Sequence, residues 1–205
     1  STHFLAYGLG WFMQDYAGCL ALRHSGGMDG MLSYSIFVPE ARLGVTVLTN
    51  SDTQQLYTAL PWYVIDRYLD LPEKDWSAIY LARTRESEER EAKDRKEREN
   101  NRAKKSKPSL PLKAYAGNYC NDYYGTATIN HTKGRLVLHM NNHPNVEGVL
   151  EHWHYDTFVS KWNDPMWGES YVTFVLDSEG EVAEFSVKIR EDFVDPLPYV
   201  FSRVP

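Results

Sequence analysis

From Arg83 to Lys107 the chain carries eleven Lys/Arg and seven Asp/Glu, and its only apolar residues are two alanines. A stretch of that kind cannot contribute to a core, so the chain must fold on either side of it. Asp75 to about Lys105 reads as helix, and Trp76, Ile79, Tyr80 and Leu81 near its start are able to dock on a neighbour. Glu86–Arg90, Glu89–Lys93, Glu91–Arg95 and Asp94–Arg98 stand four apart with the acid first, the favourable order. Each pair contributes only about 0.2–0.5 kcal/mol, which describes a solvated helix or a partly frayed linker. Continuous, a helix of about 30 residues is a spacer of about 45 Å. Pro108-Ser109-Leu110-Pro111 closes it. The expected organisation is therefore 1–72, a charged linker 73–108, and 109–205.

The net charge of −6 is unevenly spread: Arg83–Lys107 carries +4, so the rest carries −10. Lys104-Lys105-Ser106-Lys107 admits two readings, an anion-binding patch or a solvated linker, and the acids just upstream favour the second. An acidic bulk makes duplex nucleic acid a poor partner. The 42% hydrophobic residues and fourteen tyrosines suit a packed, soluble globular protein. No apolar run approaches the roughly 20 residues needed to span a bilayer. Ser1-Thr2-His3-Phe4-Leu5-Ala6-Tyr7 lacks the basic start and apolar core of a secretory signal. Cys19 and Cys120 fall in different predicted domains and read as small buried side chains rather than a disulfide.

In the first segment, Phe4–Trp11, Leu20–His24, Leu32–Val38 and Gly44–Thr49 read as short strands, rich in aromatic and β-branched residues. Ser51-Asp52-Thr53 is a capping signal for a helix from near Gln54. Its apolar positions Leu56, Leu60, Tyr63, Val64 and Tyr68 recur at helical spacing, and Pro72 stops it. After the linker the pattern is strands and turns throughout. Thr126–Asn130, Arg135–Met140, Gly148–His154, Thr157–Ser160, Ser170–Leu176, Val182–Ile189 and Tyr199–Val204 are seven candidate strands. His131-Thr132-Lys133-Gly134 and Asp177-Ser178-Glu179-Gly180 supply hairpin turns. Many short, evenly spaced strands predict an up-and-down barrel or a sandwich.

Chemistry enters at His24-Ser25-Gly26-Gly27, a glycine-rich turn-in where backbone is able to approach a ligand closely. Taken singly, it also reads as an ordinary glycine turn after a strand. Around it stand Tyr7-Gly8-Leu9-Gly10-Trp11, Phe37-Val38-Pro39-Glu40 and Leu48-Thr49-Asn50-Ser51. The series resembles the end of a serine β-lactamase or penicillin-binding-protein domain, in which the motif K-T-G becomes H-S-G in class C-like esterases and D-peptidases. Leu110-Pro111-Leu112-Lys113-Ala114-Tyr115-Ala116-Gly117-Asn118-Tyr119, Tyr123-Tyr124-Gly125-Thr126-Ala127 and Leu150-Glu151-His152-Trp153-His154-Tyr155-Asp156-Thr157-Phe158 resemble the lipocalin-like barrel often appended to such hydrolases.

The resemblance implies an α+β chain. It would hold an antiparallel sheet edge with the terminal helix of a β-lactamase-like domain, the charged helical linker, and an all-β lipocalin-like barrel. His24 would take the place of the motif's lysine, where a donor orients substrate. Ser25 would offer its hydroxyl to a substrate carboxylate or carbonyl. Gly27 would give a backbone N–H to the oxyanion hole. Gly26 would let substrate lie along the strand as an added β-strand. The substrates implied are β-lactams, D-amino-acid peptides or esters, with no cofactor. Histidine in place of lysine leans towards peptidase or esterase activity.

The family's nucleophile motif, Ser-x-x-Lys, occurs nowhere in the 205 residues, and Tyr119-Cys120-Asn121, the one Tyr-x-Asn, follows His-Ser-Gly where the family has it before. The chain is thus expected to be the C-terminal part of a serine hydrolase, inactive alone. The alternative is a non-catalytic ligand-binding or oligomerisation module. A sheet separated from its usual neighbours is also expected to favour a homo-oligomer. His152 and His154, two apart on one strand face, with Asp156, His139 and His143 nearby, invite a metal reading. The run equally matches the barrel family's own pattern, and no metal is expected. Trp153, Trp162, Trp167, Phe158 and Phe174 would either line a ligand pocket or fill a small barrel.

Overall fold

The computed structural model describes residues 3–28, 30–51, 54–188 and 198–204. The chain divides into two compact units, Ser1–Lys96 and Glu97–Pro205, so the boundary falls inside the long charged helix.

In the first unit five strands form an antiparallel meander. They are β1 (Leu5–Gly8), β2 (Trp11–Tyr16), β3 (Cys19–Met28), β4 (Met31–Val38) and β5 (Leu43–Thr49), neighbours in that order. The single strand expected over Phe4–Trp11 is in fact a hairpin. Leu9 and Gly10 take φ of 51° and 80°, and Ala17 and Gly18 take 50° and 82°. Both are two-residue turns with positive φ at each centre, whose twist matches that of the strands. Leu9 carries no turn signal of its own; Gly8 and Gly10 on either side of it are the only sequence sign of the break. The expected turn at His24–Gly27 is instead strand, because β4 pairs with it throughout: His24↔Ser35, Ser25↔Tyr34, Gly26↔Ser33, Gly27↔Leu32.

Helix α1 (Leu56–Tyr68) lies on this sheet. Asp52 and Thr53 of the expected cap lie outside the described residues; Gln54 Oε1 accepts from the backbone N–H of Leu56 at 2.5 Å and of Tyr57 at 3.3 Å. The face that packs is not the apolar stripe read from the sequence. Leu56, Leu60, Tyr63 and Tyr68 are exposed, while Ala59, Trp62 and Ile65 join Ala21, Tyr34, Ile36 and Val38 in the core. Asp66, also on the buried face, is 2% exposed and fully engaged. Trp76 Nε1 donates to it at 2.7 Å, the Tyr16 hydroxyl donates to it, and Lys74 Nζ lies 3.8 Å away. A buried carboxylate is tolerated only with such partners, and these tie the start of α2 (Trp76–Asn101) to the sheet and α1. Asp66→Ala is expected to cost about 1–3 kcal/mol, because it leaves the half-buried Tyr16 hydroxyl and Trp76 indole N–H without their acceptor. Loss of amide-exchange protection in α1 and β2 reads the effect; unchanged protection would refute it. Asp75 caps α2 by accepting from Ala78 N–H at 2.8 Å.

The second unit is a closed barrel of eight antiparallel strands, each pairing with the next. These are β6 (Gly117–Asn121), β7 (Gly125–Thr132), β8 (Arg135–Met140), β9 (Glu147–His154), β10 (Thr157–Trp162), β11 (Glu169–Leu176), β12 (Val182–Val187) and β13 (Tyr199–Val204). The ends join through β13 and β6, with Ser202 opposite Cys120. It is the up-and-down barrel, not the sandwich, and β6 is the strand that the sequence reading lacked. Of the expected strand Val182–Ile189, Ile189 lies outside the described residues. Inward positions alternate along each strand, and rings fill the interior: Phe185 stacks on Phe201 at 5.0 Å and meets Tyr119 edge-on at 4.9 Å. Phe158, Trp162 and Phe174 are buried there and pack in the interior, with Phe158 also reaching a pocket lined by Leu112, Arg135 and His152.

Gly148 is dictated by this packing. A Cβ there would stand 2.0 Å from Ser160 Oγ and 2.9 Å from a Trp162 ring carbon. Gly148→Ala is expected to lose about 1–3 kcal/mol by overpacking. Ser160→Ala in the same chain should recover part of that loss in a urea melt; no recovery would mean that the strain lies elsewhere.

The segment entering the barrel is fastened to the β9–β10 turn. Asp156 accepts from Ser109 N–H at 2.9 Å, from Ser109 Oγ at 2.7 Å and from the Tyr115 hydroxyl. Burial pushes at the carboxyl from the other side, yet these hydrogen bonds hold its pKa below the usual value. Burial and the same carboxylate push the Tyr115 phenol up to about 12, so it remains a donor. A depressed folded-state pKa contributes stability above the unfolded value of 3.8, lost as pH falls through the folded one. The amide of Ser109 is therefore expected to lose exchange protection below about pH 4. Asp156→Ala should remove that protection already at neutral pH, and retention of it would refute the fastening.

Candidate functional site

The position of His24-Ser25-Gly26-Gly27 follows from unequal strand lengths. β3 has ten residues and β2 six, and their pairing ends at Phe12↔Arg23. Beyond Arg23 no described strand pairs with β3 on that side. Tyr16 and Cys19 flank a two-residue turn as a hydrogen-bonded pair, so alternation sends the backbone groups of Ala21, Arg23, Ser25 and Gly27 towards β2. For Ser25 and Gly27, β2 is no longer there. Their N–H and C=O groups face an open edge, the arrangement that accepts an extended peptide or a carbonyl oxygen. Gly26, whose backbone points towards β4, has room for only the smallest side chain: a Cβ would sit 3.0 Å from Ser33 Oγ.

His24 stands where the β1–β2 hairpin stops. Its ring stacks on Phe12 at 5.9 Å and meets Trp11 edge-on at 6.5 Å, and its Nε2 lies 3.4 Å from the Tyr7 hydroxyl. Ser25 lines a cleft of about 460 Å³ on the side of the sheet that α1 covers. The structure thus brings His24, Ser25, Gly26 and Gly27 together along one strand, with Ser25 and Gly27 sharing the open edge. The rings of Tyr7, Trp11 and Phe12 around His24 escaped the sequence reading. The Gly8-Leu9-Gly10-Trp11 turn was the signal for them, had it been taken as a hairpin.

The remaining sequence candidates lie in the barrel. Tyr119 of the Tyr-x-Asn match is a core ring whose hydroxyl donates to Tyr115 O at 2.8 Å. His152 Nε2 is 3.0 Å from Tyr155 O, and His154 Nδ1 accepts from Ala103 N–H at 3.4 Å. Trp153 lies under the Arg102 guanidinium at 4.4 Å, and Arg102 Nε donates to its carbonyl at 2.8 Å. Among the described residues, no three His, Cys, Asp or Glu side chains gather as a metal site. No described helix is long and apolar enough to cross a membrane.

Residues 101–198 match a family described as a domain of unknown function, DUF3471. The chain is 32% identical over 128 residues to "Unguisins hydrolase ungD" of Aspergillus violaceofuscus, covering 59% of this chain and 23% of that one. It is 31% identical over 140 residues to "Unguisins hydrolase ungD'" of Aspergillus campestris, covering 65% and 26%. The chain is related to hydrolases. It spans about a quarter of the length of these relatives. A solved octameric penicillin-binding protein homologue from Pyrococcus abyssi aligns with 97% of this chain and 37% of its own, at 16% identity and a TM-score of 0.34.

Proposed function

We propose that this chain is the C-terminal part of a β-lactamase-like serine hydrolase that works through an acyl-enzyme, and that it forms one wall of the active site. The observation that carries the reading is the open edge of β3 at Ser25 and Gly27. An acyl-transfer site needs a donor aimed at the oxygen that gains charge, and Gly27 N–H meets that need. Ser25 holds the substrate's carbonyl or carboxylate, Gly26 admits its backbone alongside β3, and His24 orients it from the aromatic end. The nucleophilic serine, its lysine and the tyrosine lie upstream of this chain in the longer protein. D-amino-acid peptides and esters are the favoured substrates over β-lactams. The relatives' names, both hydrolases, are in keeping with this.

The domains read as 1–72 for the catalytic portion, 73–108 for the helical linker and 109–205 for the barrel. The barrel's eight-stranded up-and-down course supports a lipocalin-like assignment, and its ring-filled interior favours a structural role over ligand storage.

A fluorescent phosphonate that labels active serines tests the reading. The longer protein is expected to label, and this chain alone is not. Labelling of this chain would overturn the division of labour. Separately, fast turnover of a chromogenic cephalosporin with slow turnover of D-peptides and esters would overturn the substrate preference.

A further inference from the structure

The cleft beside Ser25 is lined by groups that donate hydrogen bonds. Arg23 of β3 and Tyr34 of β4 form its sheet wall, and Tyr80 and Arg83 of α2 face them. Arg23 Nε donates to Gln14 Oε1 at 2.8 Å, its guanidinium also hydrogen-bonds the Tyr34 phenol and lies over the Phe12 ring at 5.3 Å, and its five N–H donors exceed these partners. The Arg83 guanidinium lies over the Tyr80 ring at 5.2 Å. Among the described residues no carboxylate forms an ion pair with either arginine. Asp66, close by, is already taken up by Tyr16, Trp76 and Lys74. Burial pushes the Tyr34 phenol up to about 12, so at neutral pH it keeps its proton, available for donation. The floor is apolar: Trp62 and Trp76 stack at 5.7 Å with their planes 25° apart.

Two guanidiniums and a phenol above an indole floor make a site rich in donors and poor in acceptors. A guanidinium's planar fork matches a carboxylate, and Arg23, half-buried, meets it partly out of water. The adjoining groove, which shares Tyr80 and Arg83, also carries Glu88 and Glu91. Those two acids repel a long polyanion and leave room for a single negative charge. We propose that this cleft binds a small organic monocarboxylate, its charge held by Arg23 and Arg83 and its apolar body laid on Trp62 and Trp76. The inference does not rest on the hydrolase reading.

The test is a titration of the whole chain with phenylacetate and, separately, with phenylacetamide, followed by the indole N–H resonances of Trp62 and Trp76. Phenylacetate is expected to shift both saturably, and the uncharged amide to bind at least ten-fold more weakly. Arg83→Gln, on an exposed helix surface, should weaken phenylacetate at least ten-fold, as should Arg23→Gln. Arg85→Gln, on the same helix but outside the cleft, should change nothing. Equal binding of acid and amide, or an Arg83→Gln chain that binds as the parent does, would overturn the site. Inorganic phosphate binding as tightly as phenylacetate would overturn the choice of ligand. None of these readouts involves serine labelling, so this proposal and the catalytic one fail separately.

Discussion

Replacing Phe185 by alanine is expected to destabilise the barrel by about 3–5 kcal/mol. The ring is fully buried, stacked on Phe201 at 5.0 Å, edge-on to Tyr119 at 4.9 Å and tilted against Phe174 at 5.8 Å. Truncation removes the transfer free energy of a whole phenyl group and leaves a cavity that its neighbours cannot fill. Tyr119 is held by its hydroxyl on the Tyr115 carbonyl, and Phe201 by the strand that closes the barrel. Because β13 pairs with both β12 and β6, the loss should spread around the closure rather than stay local. Amide exchange under native conditions separates the barrel from the other unit. Protection should fall together in β12, β13 and β6 and hold in β3 and β4. A fall confined to β12 would show that the barrel opens piecewise.

On the proposed reading, Gly27→Pro in the longer protein is expected to lower kcat by about 10²–10³, the cost of one oxyanion donor. Proline removes the N–H that the proposed oxyanion site uses. The position lies on the unpaired side of β3, where a proline is tolerated, so the ladder to β4 keeps its hydrogen bonds. The variant should therefore melt close to the parent while KM changes little. A melt that falls along with kcat would place the effect in folding. A kcat close to that of the parent, in a chain that melts normally, would remove Gly27 from the oxyanion hole.

The sequence was most informative where local chemistry decides. The core-free run after Thr84 excluded an interior element and left a solvated helix or a frayed linker, and Asp75 marked its start. Lys133-Gly134 and Asp177–Gly180 set hairpin turns, and the spacing of strands after Pro111 led to a barrel or sandwich. In contrast, α1 offered two apolar stripes. The local pattern favoured Leu56, Leu60 and Tyr63, whereas the sheet chose Ala59, Trp62 and Ile65. That face carries Asp66, which is accommodated there because its partners Tyr16, Lys74 and Trp76 come from elsewhere in the chain. β6 was missed for a related reason. A five-residue strand containing glycine and two asparagines becomes strand only because β7 and β13 both pair with it.

For the candidate site, the sequence by itself supplied the residue types: a histidine, a hydroxyl and two glycines in a row, flanked by stretches that resemble one hydrolase superfamily. It could not tell whether those glycines turn or run on as strand, nor which of their backbone groups meet a partner. Tertiary structure decided both. β4 pairs with β3 to its end, and the two-residue turn at Leu9-Gly10 starts β2 too late to cover residues beyond Arg23. The edge at Ser25 and Gly27 is open because hydrogen-bond pairing is settled between strands, by length and register, and no single strand's sequence encodes where its neighbour begins.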